Sequence, residues 1–116
     1  MNSHTIIAYV NAQHMSPALQ QALQQVVSLR GRLSQTKDEL MQLEQRNNTI
    51  TKDQTRIREN MRRLSQNAPL FNRYVTKLDR QETELEQMLG EIETLQTKET
   101  QQKRALDTFL MELDLE

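Results

Sequence analysis

The sequence has no cysteine and no tryptophan, two glycines, two prolines, two tyrosines and two phenylalanines. Without cysteine there is no disulfide, thiolate metal ligand or thiol nucleophile. Two glycines and two prolines are too few turn formers for a many-stranded β fold. With 35% hydrophobic and 3% aromatic residues, the chain lacks the bulk for a thick globular core. A narrow seam between long helices is the economical alternative. No apolar run approaches the length needed to cross a bilayer, and the start has no basic stretch followed by an apolar one, as a signal peptide would. The formal net charge of −1 gives no global attraction to nucleic acid or to anionic membranes.

Chemical motifs are equally sparse. The histidines, His4 and His14, are too few for a metal site at defined ligand spacing. There is no glycine-rich phosphate loop and no Ser/His/Asp set that a pocket could gather. No catalytic residue, metal ligand or cofactor is assigned, and the sequence reads as non-enzymatic. The acidic stretch Glu82, Glu84, Glu86, Glu91 and Glu93 reads as a solvated helix face. Met61 and Met88 fall in the helical seam and read as core.

What is present is a long 3,4 repeat on either side of Ser65-Gln66-Asn67-Ala68-Pro69. Proline breaks a helix interior at a cost of about 3 kcal/mol and disfavours helical dihedrals at the residue before it. Asn67 can cap a helix start, and Pro69 suits a first helical turn. One helix is therefore expected over 16–66, opened by Ser16 as cap and Pro17, and a second over 67–114. Residues 1–15 form an extended or strand-like leader. Its run Thr5–Val10 reads either as a frayed end or as the last strand of a domain upstream in a longer parent.

In the first arm, a positions at Leu19, Val26, Leu33, Leu40, Asn47, Gln54 and Met61 alternate with d positions at Ala22, Leu29, Thr36, Leu43, Ile50, Ile57 and Leu64. In the second, a positions are Phe71, Leu78, Leu85, Ile92, Glu99, Leu106 and Leu113, and d positions are Tyr74, Gln81, Met88, Leu95, Gln102 and Phe109. A rival phase would use Val75, Leu89 and Leu110, but it would bring Glu82 and Lys103 into the seam. Gly31 and Gly90 fall at outward positions. The pattern predicts an all-α, antiparallel two-helix coiled-coil hairpin, with a parallel dimer of long kinked helices as the rival. Facing residues in the hairpin have numbers summing to 135. Ile57 then meets Leu78, Gln54 meets Gln81, and Thr36 meets Glu99. Flanking charges give attractive pairs at Arg46–Glu91 and Glu39–Lys98 and a repulsive one at Asp53–Glu84.

Two surface features are candidate binding sites. Between positions 52 and 80 lie eight basic residues (Lys52, Arg56, Arg58, Arg62, Arg63, Arg73, Lys77 and Arg80) and three acids (Asp53, Glu59 and Asp79). This basic tip is a candidate site for an anionic partner, lipid or nucleic acid. Against nucleic acid, Phe71 and Tyr74 are taken up by the seam and leave no stacking platform. At the other end, Leu23, Val27, Leu110, Met111 and Leu115 fall outside the seam and form a candidate docking patch. Its cover would be an upstream domain of a longer parent, another protein or a second copy of the chain.

The runs Asp53–Met61, Leu70–Leu78 and Gln81–Glu86 resemble the C-terminal helical region of large bacterial proteins related to the mucoidy-inhibitor-A-like group. In those proteins a β-rich domain of unknown function precedes a coiled coil. The resemblance covers about residues 5–113 and implies no activity and no functional residues. It implies that the chain is the tail of a larger protein, with the large upstream region missing. The compartment would be envelope or periplasm if the parent carries a signal peptide, and cytoplasm otherwise.

Overall fold

The computed structural model describes residues 16–113. The leader, with His4, His14 and the Thr5–Val10 run, lies outside the described residues, as does Leu115. The fold is an all-α helical hairpin of two long helices, α1 (Pro17–Arg62) and α2 (Pro69–Glu112). Among the described residues there is no strand.

Helix α1 starts as its sequence requires. The Leu19 amide donates to Ser16 Oγ at 3.1 Å, which satisfies one of the amides left free at a helix start. Pro17 occupies the first helical position, where its missing N–H costs nothing. The helix ends at Arg62, three residues before Ser65, because its last turn tightens. The Arg63 amide donates to the Asn60 carbonyl at 3.2 Å and the Leu64 amide to the Met61 carbonyl at 3.1 Å. Arg62 in that last turn complements the negative end of the helix dipole.

The turn is built on Ser65. Its carbonyl accepts the Ala68 amide at 3.0 Å, and its hydroxyl accepts the Asn67 amide at 3.3 Å. Asn67 was expected as the cap of the second helix. Its backbone amide is instead held by Ser65, and Ala68 stands directly before Pro69, the first residue of α2. The expected helix limits of 66 and 67 therefore shrink to 62 and 69.

Contacts divide the described hairpin into two compact units: residues 39–95, which contain the turn, and residues 16–38 together with 96–113. In the first unit, every a and d side chain assigned from the 3,4 repeat is buried or half-buried, with Ile50, Ile57 and Met88 in its core. Val75 and Leu89, which the rival phase would bury, are exposed. In the second unit, Val26, Leu33 and Leu106 form the core, flanked by Leu29, Phe109, Leu110 and Leu113. Full burial of a Leu, Ile or Val side chain is worth on the order of 1.5–3 kcal/mol. Thr36 is 1% exposed, and its hydroxyl donates to the Arg32 carbonyl of its own helix at 3.1 Å. Glu99, its expected counterpart, pairs with Lys103 one turn on.

Candidate functional site

A layer of linked polar side chains lies in the unit that contains the turn. Gln54 and Gln81 are both buried in the seam there, at 3% and 9% exposure. Each amide reaches across to an acid beside the other glutamine. Gln81 Nε2 donates to Asp53 Oδ2 at 2.6 Å, and Gln54 Nε2 donates to Glu82 Oε1 at 3.0 Å. Asp53 is the hub of this layer. Its Oδ1 accepts Arg56 Nε at 3.0 Å and Nη2 at 2.8 Å, and Lys77 Nζ lies 3.3 Å from Oδ2. The Arg56 guanidinium, and after it the Gln81 amide and Lys77, hold the Asp53 carboxyl below its ordinary value against the opposing effect of burial. The bond to Asp53, and after it the Tyr74 hydroxyl, push Arg56 up.

This arrangement removes the repulsion expected between Asp53 and Glu84. Asp53 is surrounded by donors, while Glu84 takes a two-pronged bond from Arg46, Nε to Oε1 at 2.9 Å and Nη2 to Oε2 at 3.3 Å. Arg46 was expected beside Glu91; the structure pairs it with Glu84, one heptad nearer the turn. Sequence reasoning paired the glutamines with each other and missed the acids as their partners. The signal was the placement of an acid directly beside each glutamine, at positions 53 and 82.

The structure sorts the eight tip cations into separate places. Arg56, Arg73, Lys77 and Arg80 line one concavity of about 450 Å³, with Leu70, Tyr74 and Thr76. No acid lines it. The Tyr74 hydroxyl at its edge accepts Asn60 Nδ2 at 3.3 Å. Arg58 and Arg62 belong to another depression, lined also by Met61, Leu64, Phe71 and Leu78. Lys52 lines a third, where Asp53 and Glu84 lie beside Arg46, Arg56 and Lys77. Arg63 lies outside these three depressions, and Arg58 approaches Glu82 at 3.9 Å. The cations that share one concavity are therefore Arg56, Arg73, Lys77 and Arg80, of which Arg56 and Lys77 are already bound to Asp53 behind it. Arginines in such a cluster can bind an oxyanion through two parallel N–H bonds.

The docking patch does not survive as a unit. Leu23 is 0% exposed, so it belongs to the interior and not to a surface. The d residue beside it, Ala22, is half-buried as well. Leu110 is half-buried against the core of its unit. Val27 and Met111 remain exposed, at 44% and 86%, and Leu115 lies outside the described residues. Two single exposed side chains do not make a patch.

Among the described residues, no three His, Asp or Glu side chains gather as a metal site, and no helix is long and apolar enough to cross a membrane. No protein-family model, curated protein or solved structure matches the chain.

Proposed function

We propose that the chain is a non-enzymatic interaction or spacer module, a hairpin whose seam holds the two helices while their outer faces meet a protein partner. The observation that carries this reading is how completely the seam absorbs the 3,4 repeat. Apolar side chains outside the repeat, Met41, Val75 and Leu89, are left exposed on the helix faces. The carboxylates that could suggest chemistry have structural roles or face solvent: Glu82 and Glu84 bind Gln54 and Arg46, and Glu86, Glu91 and Glu93 are exposed. Catalysis by paired acids needs them converged in a concave site. The resemblance to the mucoidy-inhibitor-A-like group supports a place as the C-terminal part of a larger bacterial protein. The reading frame upstream of Met1 tests that part, and a frame without a β-rich domain refutes it.

The test of the interaction reading is photo-crosslinking in cells. A benzophenone side chain at Val75 or Leu89 should give a discrete adduct with another protein, identified by mass spectrometry, whereas the same group at buried Ile57 should give none. Absence of adducts from both outer positions would overturn the reading.

A second reading is favoured by one observation, the four cations lining a single concavity near the turn. It makes the basic tip a site for an anionic lipid or nucleic acid. Binding to acidic vesicles or duplex DNA that falls steeply with salt would support it; no binding at low salt would reject it.

A further inference from the structure

Outside the seam, α2 carries a second stripe with the same 3,4 spacing. Its first half is Leu70, Arg73, Lys77 and Arg80, and its second half is Glu84, Gln87, Glu91 and Thr94. All are exposed except Glu84, which is half-buried. Residues spaced by three and four lie on one face of a helix, so this face is basic at one end and acidic at the other. A side chain from α1 strengthens each end. Arg56 joins the basic concavity, and Glu39 joins Glu91, Thr94 and Gly90 around a second concavity of about 690 Å³. Among the described residues, Arg73, Arg80, Glu39 and Glu91 take part in none of the ion pairs, whereas Glu84 is held by Arg46, and Arg56 and Lys77 by Asp53.

We propose that this face binds a second copy of the chain, turned end for end about a twofold axis near Glu82. The stripe is complementary to its own reverse. Aligning the two copies so that facing residues have numbers summing to 164 sets Arg73 against Glu91 and Arg80 against Glu84. It sets Lys77 against Gln87 and Leu70 against Thr94. The twofold repeats each pair, as a self-complementary dimer interface requires. The match also follows the register rule of antiparallel helices with 3,4 stripes, in which the two kinds of stripe position face each other. The basic concavity of one copy then faces the acidic concavity of the other.

The charge order selects this occupant. A polyanion lying along the face would gain at Arg73, Lys77 and Arg80 but meet Glu84, Glu91 and Glu39 further on. A reversed copy meets the opposite sign at both ends. This inference rests on the interaction-module reading and names its partner.

The test is sedimentation equilibrium of the full chain at low and high salt. Because the interface is held mainly by exposed charges, its dissociation constant should rise roughly tenfold or more between about 0.05 and 0.5 M salt. Arg73→Glu with Arg80→Glu makes the stripe acidic throughout and should leave the chain monomeric. Glu84→Arg with Glu91→Arg makes it basic throughout and should do the same. Mixed together, these two variants should form a heterodimer, because each supplies the charge that the other lacks. The milder Arg73→Gln with Arg80→Gln should weaken dimerisation in parallel, with helical content by circular dichroism unchanged.

A wild-type chain that is monomeric at low salt overturns the proposal, as does a dimer that ignores these substitutions or a mixture that stays monomeric. Acidic vesicles bound through Arg73 and Arg80 by a monomeric chain would likewise overturn it, and would favour the anion-binding reading. Adducts to other proteins from Val75 or Leu89 in a chain that never dimerises would leave the interaction-module reading standing without this partner.

Discussion

Gln81 crosses the seam to donate its amide to Asp53 at 2.6 Å, a residue whose carboxylate also takes Arg56 and Lys77. One polar layer thereby fixes the register of the two helices in the unit that contains the turn. The numbers of Asp53 and Gln81 sum to 134 and those of Gln54 and Glu82 to 136, on either side of the expected 135.

That register has a direct check. Ile57→Cys with Leu78→Cys should form a disulfide within one chain under mild oxidation, since both side chains point into the seam of the same unit. The measurement is mass and mobility under non-reducing conditions. A disulfide from position 57 of one chain to position 57 of another would mean a parallel dimer and refute the hairpin.

Replacing both glutamines by leucine should raise stability by roughly 1–2 kcal/mol, because apolar burial replaces buried amides. It should also loosen the register, since the replaced amides specify one alignment. Thermal melts read the first effect. The second appears as a lower yield of the 57–78 disulfide, with products at neighbouring registers. A variant no more stable than wild type and still single in register would contradict the role given to this layer.

Asp53 should make stability depend on pH in the acid range. Its carboxyl is held below the ordinary value in the folded chain, whereas the unfolded chain titrates near about 3.9. The unfolded state then binds the proton more readily. The stabilisation is fully present above the unfolded value and is lost as pH falls through the lower, folded one. Urea midpoints of wild type and Asp53→Asn should therefore differ at about pH 6 and converge toward about pH 2.5. A difference that stays constant over that range would show that the carboxylate is not the source.

Gly31→Ala and Gly90→Ala should each stabilise the hairpin by about 0.8–1 kcal/mol, the helix-propensity difference at an exposed interior position. A β-carbon at either site meets nothing within 4 Å, so no clash offsets the gain. The sites lie in different units, and the effects should add. Urea denaturation of the two single variants and the double variant checks both points.

The seam was legible in the sequence because it is periodic. Each assigned a or d residue in the described helices lies at least half-buried; of the rival phase, Val75 and Leu89 are exposed, whereas Leu110 is half-buried beside the core of its unit. Three features were not legible, each for its own physical reason. Leu23 is buried at an e position, and a repeat counted only by a and d positions does not reach it. Asn67 has good capping chemistry, but its own amide is held by Ser65, although the helix starts at Pro69 as a proline of the first turn suggested. The bonds at Gln54 and Gln81 depend on which rotamer reaches which acid, and residue type alone does not fix that.

The Ser65–Ala68 turn also sets an order of assembly. Asn60 and Tyr74, which bond across it, are 14 residues apart in the chain, whereas Leu33 and Leu106 in the other core are 73 apart. Closing the longer loop directly costs roughly 1.5 kcal/mol more in chain entropy, so the contacts next to the turn should form first. During synthesis the asymmetry is harsher. Helix α1 emerges with its apolar stripe unmatched, and its partner of 44 residues takes a few seconds to follow at about 5–20 residues per second. For that interval Val26, Leu33 and Ile57 have no folded surface to meet. The nascent first arm is the state of this protein most open to a chaperone or to a wrong helix.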